Sequence, residues 1–107
     1  MKHVRFTPLA RRELADATDY YDSKGENLGD ALLLEVGKAL QHLSVAPLSC
    51  PVLRGEIRRR PLFRFPYSIL YRVAGRSIQI VALIHQRRGP KYIGARLREA
   101  EKDHTKA

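Results

Sequence analysis

The sequence is poor in the residues on which disulfide, metal and cofactor chemistry depend. Its one cysteine, Cys50, cannot form an internal disulfide, and no His or Cys residues accompany it at zinc-site spacing. No Gly-rich phosphate loop follows a predicted strand, and no Gly-x-Ser-x-Gly elbow occurs. We therefore expect no metal ion and no cofactor, and we interpret Cys50 as a small loop residue.

Long apolar segments are missing too. No run of about 18 apolar residues is present, and no apolar signal core follows the first residues. We therefore expect no membrane span, no export and a cytoplasmic location. Hydrophobic residues make up 44% and charged residues 29% of the 107 positions, which favours one soluble globular domain rather than a disordered chain.

Acidic residues are scarce in one half of the chain. Residues 1–53 carry six basic and seven acidic side chains, whereas residues 54–98 carry twelve basic side chains and only Glu56 as an acidic one. A local net charge of +11 attracts polyanions or an acidic protein, with an affinity that falls as salt rises. The alternative interpretation is a solvated face that only keeps the protein soluble.

Two amphipathic helices are predicted in the first half. Thr7 can cap a helix and Pro8 suits its first position, so we predict a helix from there to Gly25. A second helix is predicted over residues 28–43, with a short link that favours an antiparallel helical hairpin. The apolar stripes of the two helices are Ala10, Leu14, Ala17 and Tyr21, then Leu28, Leu32, Val36, Ala39 and Leu43.

Strand patterns flank this hairpin. Residues 3–7 alternate with Val4 and Phe6 on one side, and residues 67–73 alternate again before a glycine turn at residues 74–76. The returning segment is apolar on both faces, which predicts a central strand with Ile78, Ile80, Ala82 and Ile84 on one face and Val81 and Leu83 on the other. Residues 53–62 are too basic for a buried central strand, so an edge strand is predicted there.

The order of these elements defines a fold class. We predict an α+β fold with the order β-α-α-β-β-β, in which the first strand and the helical hairpin pack in two layers on a mainly antiparallel sheet. Residues 1–95 are predicted to form the single domain. Residues 96–107 are predicted to form a polar tail that is either helical or frayed.

Several segments resemble the RelE/ParE superfamily of bacterial toxins, also called plasmid stabilisation proteins. Residues 64–73 (RFPYSILYRV) and 81–88 (VALIHQRR) are similar to the last two strands of these toxins. The opening strand and helices also fit the family pattern, so the resemblance spans roughly residues 3–93. It departs from many relatives at Leu32 and Ile93, where those relatives carry aromatic residues.

The resemblance implies the toxin of a type II toxin-antitoxin system, which inhibits bacterial growth until a cognate antitoxin binds it in a hetero-oligomer. It leaves two targets open. The sequence looks closer to the ParE-like branch, which implies a noncatalytic inhibitor of DNA gyrase. The alternative is a RelE-like endoribonuclease that cuts mRNA on the ribosome, and a second alternative is a nontoxic basic module that binds nucleic acid.

Candidate site residues follow from these alternatives. A nuclease needs phosphate ligands and a proton-transfer group, for which the candidates are Arg64, Arg72, His85 and Tyr92. The structural alternatives are that Tyr92 only packs, that His85 only bonds the backbone and that Arg72 only faces solvent. The predicted target- or nucleic-acid-binding residues are Arg58, Arg59, Arg60, Arg64, Arg87, Arg88 and Lys91.

Overall fold

Helices and strands account for most of the chain. The structure, a computed structural model, describes residues 2–106 of the backbone and the side chains up to residue 102. Its elements in order are β1 (His3–Phe6), α1 (Pro8–Lys24), α2 (Leu28–Val45), β2 (Val52–Arg54), β3 (Ile57–Pro61), β4 (Tyr67–Ala74), β5 (Ser77–His85) and α3 (Pro90–Lys106). The predicted α+β fold is confirmed, with a further strand and a third helix added to it.

The helical hairpin forms as predicted. The Thr7 hydroxyl accepts a hydrogen bond from the Ala10 amide at 3.1 Å, and Pro8 occupies the first turn of α1. The Asp22 carboxylate accepts the Gly29 amide at 2.9 Å and thereby caps α2 from the preceding helix. The apolar stripes of both helices pack on one face of the sheet, against side chains of β4 and β5.

The sheet has the strand order β1-β5-β4-β3-β2. β1 runs parallel to β5, while the other pairs are antiparallel. The predicted glycine turn joins β4 to β5, with Gly75 at φ 60° in the left-handed region. β5 is flanked by β1 and β4, so its prediction as a central strand is confirmed.

A bulge in β5 corrects the predicted side-chain pattern of that strand. Leu70 pairs with Ala82 but Tyr71 pairs with Ile80, so Val81 is an extra residue without a partner on β4. The order in which successive side chains of β5 alternate between the two faces of the sheet therefore reverses after Ile80. Ala82 and Ile84 do not share a face with Ile78 and Ile80 as predicted, but lie on the α3 side, whereas Leu83 faces α1 and α2.

The basic segment is also arranged differently from the prediction. It contains two short strands rather than one, because Gly55 adopts φ 57° and turns the chain back on itself. β2 is the edge strand, and β3 lies inside the sheet between β2 and β4. Three arginines on β3, Arg58, Arg59 and Arg60, are only half-buried, since their long stems carry the guanidinium groups to the rim of the sheet.

The C-terminal helix covers the second face of the sheet. Ile93, Leu97 and Ala100 of α3 pack on Leu70 and on the residues of β5 after the bulge. The boundary predicted between residues 95 and 96 falls inside this helix, where the side chains of Arg96 and Ala100 are buried. α3 is therefore integrated into the packing of the fold.

A pair of side chains closes the free edge of β5. β1 pairs with β5 only as far as Ile80, so the backbone groups of Val81 and Leu83 face an edge with no strand beside it. Glu13 accepts the Leu83 amide at 3.1 Å, and Arg96 donates to the Val81 carbonyl at 2.9 Å. The two side chains also bond each other at 2.7 Å. We call them the edge clamp.

Tyr71 is predicted to make stability sensitive to alkaline pH. Its side chain is fully buried and its hydroxyl donates to the Pro47 carbonyl at 2.8 Å, and burial raises the pKa of Tyr71 above its ordinary value. The stability that this tyrosine contributes is present below about pH 10, its unfolded pKa, and is lost as pH rises toward the folded pKa. Tyr71→Phe removes that loss. The slope of the free energy of unfolding against pH should therefore become shallower by up to about 1.4 kcal/mol per pH unit.

The measurement is denaturant unfolding of wild type and Tyr71→Phe at a series of pH values above about 10. Tyr20→Phe, which removes an exposed hydroxyl, is the control. Equal slopes for wild type and Tyr71→Phe would show that Tyr71 does not carry the effect.

Candidate functional site

Two cavities adjoin at the end of the sheet where β5 stops. Tyr67 at the start of β4 pairs with His85 at the end of β5. The chain then turns, with the Arg88 amide bonded to the His85 carbonyl at 3.0 Å, and Pro90 begins α3. Arg88, in this tight turn, lines both cavities, whereas His85 lines one of them.

The first cavity, which we call the basic groove, lies between β2–β3 and the start of α3. Its volume is about 220 Å³, and no acidic side chain among the described residues lines it. Arg59 is directed to this face by a hydrogen bond from its Nε to the Ser68 hydroxyl at 3.1 Å. The lining residues are Leu53, Arg54, Arg59, Arg88, Pro90 and Ile93. Three guanidinium groups over an apolar floor suit an anionic ligand or an acidic peptide.

The second cavity, which we call the aromatic pocket, lies between α1, β5 and α3 and has a volume of about 270 Å³. The Arg88 guanidinium lies 4.2 Å from the centroid of the Tyr92 ring, and the Tyr67 ring meets His85 edge-on at 5.1 Å. Burial, followed by the charge of Tyr20, raises the pKa of Tyr67. The Tyr67 hydroxyl therefore stays protonated near neutral pH and can donate a hydrogen bond.

His85 has one ring nitrogen engaged by the turn. Its Nδ1 accepts the Arg87 amide at 3.1 Å, which assigns the proton of the neutral ring to Nε2. The predicted bond between His85 and the backbone is therefore present. The Nε2 atom remains as the group with which His85 could exchange a proton.

The four candidate nuclease residues do not share one cavity. His85 and Tyr92 both line the aromatic pocket. Arg72 donates to Gln79 at 2.8 Å and lines a different cavity, of about 250 Å³, under the later turns of α3. Arg64 stands on the loop between β3 and β4, with its amide bonded to Glu35 at 3.0 Å. The structure thus brings together two of the four.

The seven predicted binding residues are divided between the two faces of the sheet. Arg59 and Arg88 line the basic groove, and Arg87 and Lys91 are exposed in the turn and first helical turn beside it. The others lie elsewhere: Arg58 donates to the Cys50 carbonyl at 2.7 Å, Arg60 donates to His42 at 3.3 Å, and Arg64 is on the β3–β4 loop.

Arg54 and Tyr20 are among the lining residues that were not predicted as site residues from the sequence. Arg54 joins the basic groove because β2 folds back beside β3, and Tyr20 joins the aromatic pocket from the exposed side of α1. The only sequence signal for Arg54 was its place in the basic segment. Nothing in the sequence marked Tyr20 as a site residue, because the predicted apolar stripe of α1 contains its neighbour Tyr21 and not Tyr20.

A family model matches residues 4–90, and its description is the ParE toxin of the type II toxin-antitoxin system parDE. The chain belongs to the ParE toxin family. The predicted membership of the RelE/ParE superfamily is thereby confirmed, and with it the role of toxin in a type II toxin-antitoxin system. Both cavities are lined partly by residues inside the matched range and partly by residues of α3 beyond it, such as Tyr92 and Ile93.

Solved structures share the fold of this ParE-family chain. A chain of the chromosomal ParDE toxin-antitoxin system from P. aeruginosa superposes with a TM-score of 0.64 at 23% identity, covering 79% of this chain and 96% of that one. A chain of the toxin-antitoxin complex RelBE2 from Mycobacterium tuberculosis superposes with a TM-score of 0.53 at 28% identity, covering 78% of this chain and 96% of that one. No curated protein matches the sequence.

Within residues 2–106, no helix is long and apolar enough to cross a bilayer. The described side chains of this ParE-family toxin bring together no group of three His, Cys, Asp or Glu residues.

Proposed function

We propose that this ParE-family toxin stops bacterial growth by binding DNA gyrase without catalysis, through the basic groove and the turn beside it. The observation that carries the proposal is the separation of Arg64, Arg72 and His85 into three different surroundings. Cleavage of RNA needs its base, its acid and its phosphate ligands around one scissile bond. Binding to a protein surface needs no such constellation, and the exposed arginines and their field can steer the association.

An antitoxin with an acidic segment is the partner that we propose for neutralisation. β2 is an edge strand whose Val52 and Leu53 are exposed, so an extended segment can pair with it. The basic groove adjoins this strand through Leu53 and Arg54. Acidic side chains of the added segment would meet the arginines there, and the complex would be a toxin-antitoxin hetero-oligomer in the cytoplasm.

A ribosome-dependent endoribonuclease is the second candidate. It is favoured by one observation: His85, Arg88 and Tyr92 line the same pocket, so a proton-transfer group, a cation and an aromatic ring are close together. In that function His85 Nε2 would exchange the proton and Tyr92 would stack on a base or donate a proton.

The substitution His85→Ala distinguishes these functions. We expect induced expression of wild type and of His85→Ala to stop growth equally, with intact mRNA and relaxed plasmid DNA, because gyrase inhibition requires no proton transfer by His85. His3→Ala, which removes an exposed histidine outside both cavities, is the matched control and should behave as wild type does. Growth, mRNA integrity and plasmid supercoiling are scored together in one induced bacterial host.

The opposite pattern would reject the proposal. Cleaved mRNA that disappears with His85→Ala would identify a nuclease, for which loss of general acid-base catalysis costs about 100- to 10,000-fold in rate. Harmless wild-type protein would reject growth inhibition by either route.

A further inference from the structure

The loop between β3 and β4 exposes one aromatic side chain to solvent. Phe63 is 86% exposed, more than any other large hydrophobic residue among those described, whereas its neighbours Leu62 and Phe65 are buried. The loop therefore directs one phenyl ring outward while the residues on either side of it anchor the backbone. Neither cavity of the candidate site includes Phe63.

The backbone that carries Phe63 is held by an acidic residue of α2. The Glu35 carboxylate accepts the amides of both Phe63 and Arg64, the latter at 3.0 Å. This pair of bonds fixes the loop on a helix and engages the Glu35 carboxylate with the backbone. The backbone that carries the ring is thus held in place before any partner arrives, which lowers the entropic cost of binding.

Arginines flank the exposed ring. The Arg60 guanidinium lies 5.2 Å from the centroid of Phe63, and its Nε donates to His42 Nδ1 at 3.3 Å. Arg64 follows Phe63 directly and lies 5.8 Å from the centroid of Phe65. The loop therefore presents a largely exposed ring with the Arg60 guanidinium over it and a second arginine, Arg64, at the next position of the chain.

We propose that this loop is a stacking platform for single-stranded nucleic acid, in which a base stacks on Phe63 and the neighbouring phosphates contact Arg60 and Arg64. Every base has an aromatic face, so such a platform binds without sequence preference. Arginine suits the flanking phosphates because its planar guanidinium can donate two hydrogen bonds to them.

The size of the apolar surface favours a nucleotide over a protein partner. A phenylalanine offers about 150–250 Å². A stable protein interface uses about 800 Å² on each partner, with a mostly uncharged centre. A single phenyl ring next to Arg60 and Arg64 falls well short of that area but is enough for one base. The proposal does not depend on gyrase being the toxin target.

The test uses fluorescein-labelled oligo-dT and oligo-rU of about 15 nucleotides. We expect Phe63→Ala to weaken binding by about 5- to 150-fold, the equivalent of the free energy of one base stack. Phe63→Tyr keeps the stacking face and should retain most of the affinity, whereas Phe63→Leu, which is apolar without an aromatic face, should not. Leu34→Ala removes another exposed apolar side chain and is the matched control.

Two measurements, the salt dependence of the affinity and the fluorescence of an introduced tryptophan, separate the contribution of base stacking from that of charge. Phe63→Ala should leave the slope of log affinity against log salt unchanged, while Arg64→Gln should reduce its magnitude by about 0.7. The chain has no tryptophan, so Phe63→Trp carries a single indole whose fluorescence reports on the platform. That fluorescence should be quenched when unlabelled oligo-dT is added, whereas the fluorescence of Leu34→Trp should not.

Three results would overturn the proposal. The first is equal oligonucleotide affinity for wild type and Phe63→Ala. The second is full affinity of Phe63→Leu, because an apolar contact without stacking would then suffice. The third is a Phe63→Ala variant that binds oligonucleotides normally but loses binding to purified gyrase, which would make Phe63 a protein contact.

Discussion

Arg96→Ala is expected to lower the free energy of unfolding by about 3–5 kcal/mol, a large part of the stability of a small domain. The substitution removes a buried guanidinium that bonds the Glu13 carboxylate at 2.7 Å and the Val81 carbonyl at 2.9 Å. Glu13 would keep a partly buried negative charge without its cation, and the Val81 carbonyl at the edge of β5 would lose its donor. Denaturant unfolding followed by circular dichroism measures the effect.

The control is Arg98→Ala, two residues further along the same helix. Arg98 is exposed, so its removal should change the free energy of unfolding by no more than about 0.5 kcal/mol. The double replacement of Glu13 and Arg96 should cost less than the sum of the two single replacements, because the carboxylate and its cation leave together. Equal losses for Arg96→Ala and Arg98→Ala would contradict the role given to the edge clamp.

Reversing two charges of the basic groove is expected to have the largest functional effect. The double variant Arg59→Glu with Arg88→Glu should weaken growth inhibition and reduce the association rate with the target by about 10- to 1000-fold. Both guanidinium groups line the groove, and Arg88 also borders the aromatic pocket. The association rate is measured by surface capture of the toxin with purified gyrase at low and high salt.

A charge-matched variant makes this result specific. Lys2→Glu with Arg76→Glu changes the net charge by the same amount at a different cavity, lined by Lys2, Ser44 and Arg76. We expect this variant to associate much as wild type does. If both double variants reduced the association rate equally, the overall electrostatic field of the protein, rather than the basic groove, would govern association.

The main elements of the fold could be predicted from the sequence because their apolar periods are strong. The Thr7 cap and the stripe of α1, and the alternation of β4, each point to one local structure. The bulge at Val81 could not be predicted, since a segment that is apolar on both faces reads the same in either register. The turn at Gly55 could not be predicted either, because the many basic residues around it indicated only a single exposed edge strand.

The candidate site was less predictable than the fold. That His85 and Tyr67 lie side by side follows from the pairing of two strands that the sequence indicated. The groove around Arg54 and Arg59 depends on β2 folding back and on α3 crossing the sheet, and both are long-range arrangements that no local pattern specifies. Alternation within β3 then separates Arg59 from the arginines on either side of it.

Inhibition of purified DNA gyrase tests the central claim most directly. Wild-type toxin and the His85→Ala variant should inhibit ATP-dependent supercoiling of relaxed plasmid at the same concentrations, and the Arg59→Glu, Arg88→Glu double variant should require far more protein. Unimpaired supercoiling at a large excess of toxin, together with cleavage of mRNA on purified ribosomes by wild type but not by His85→Ala, would contradict the account.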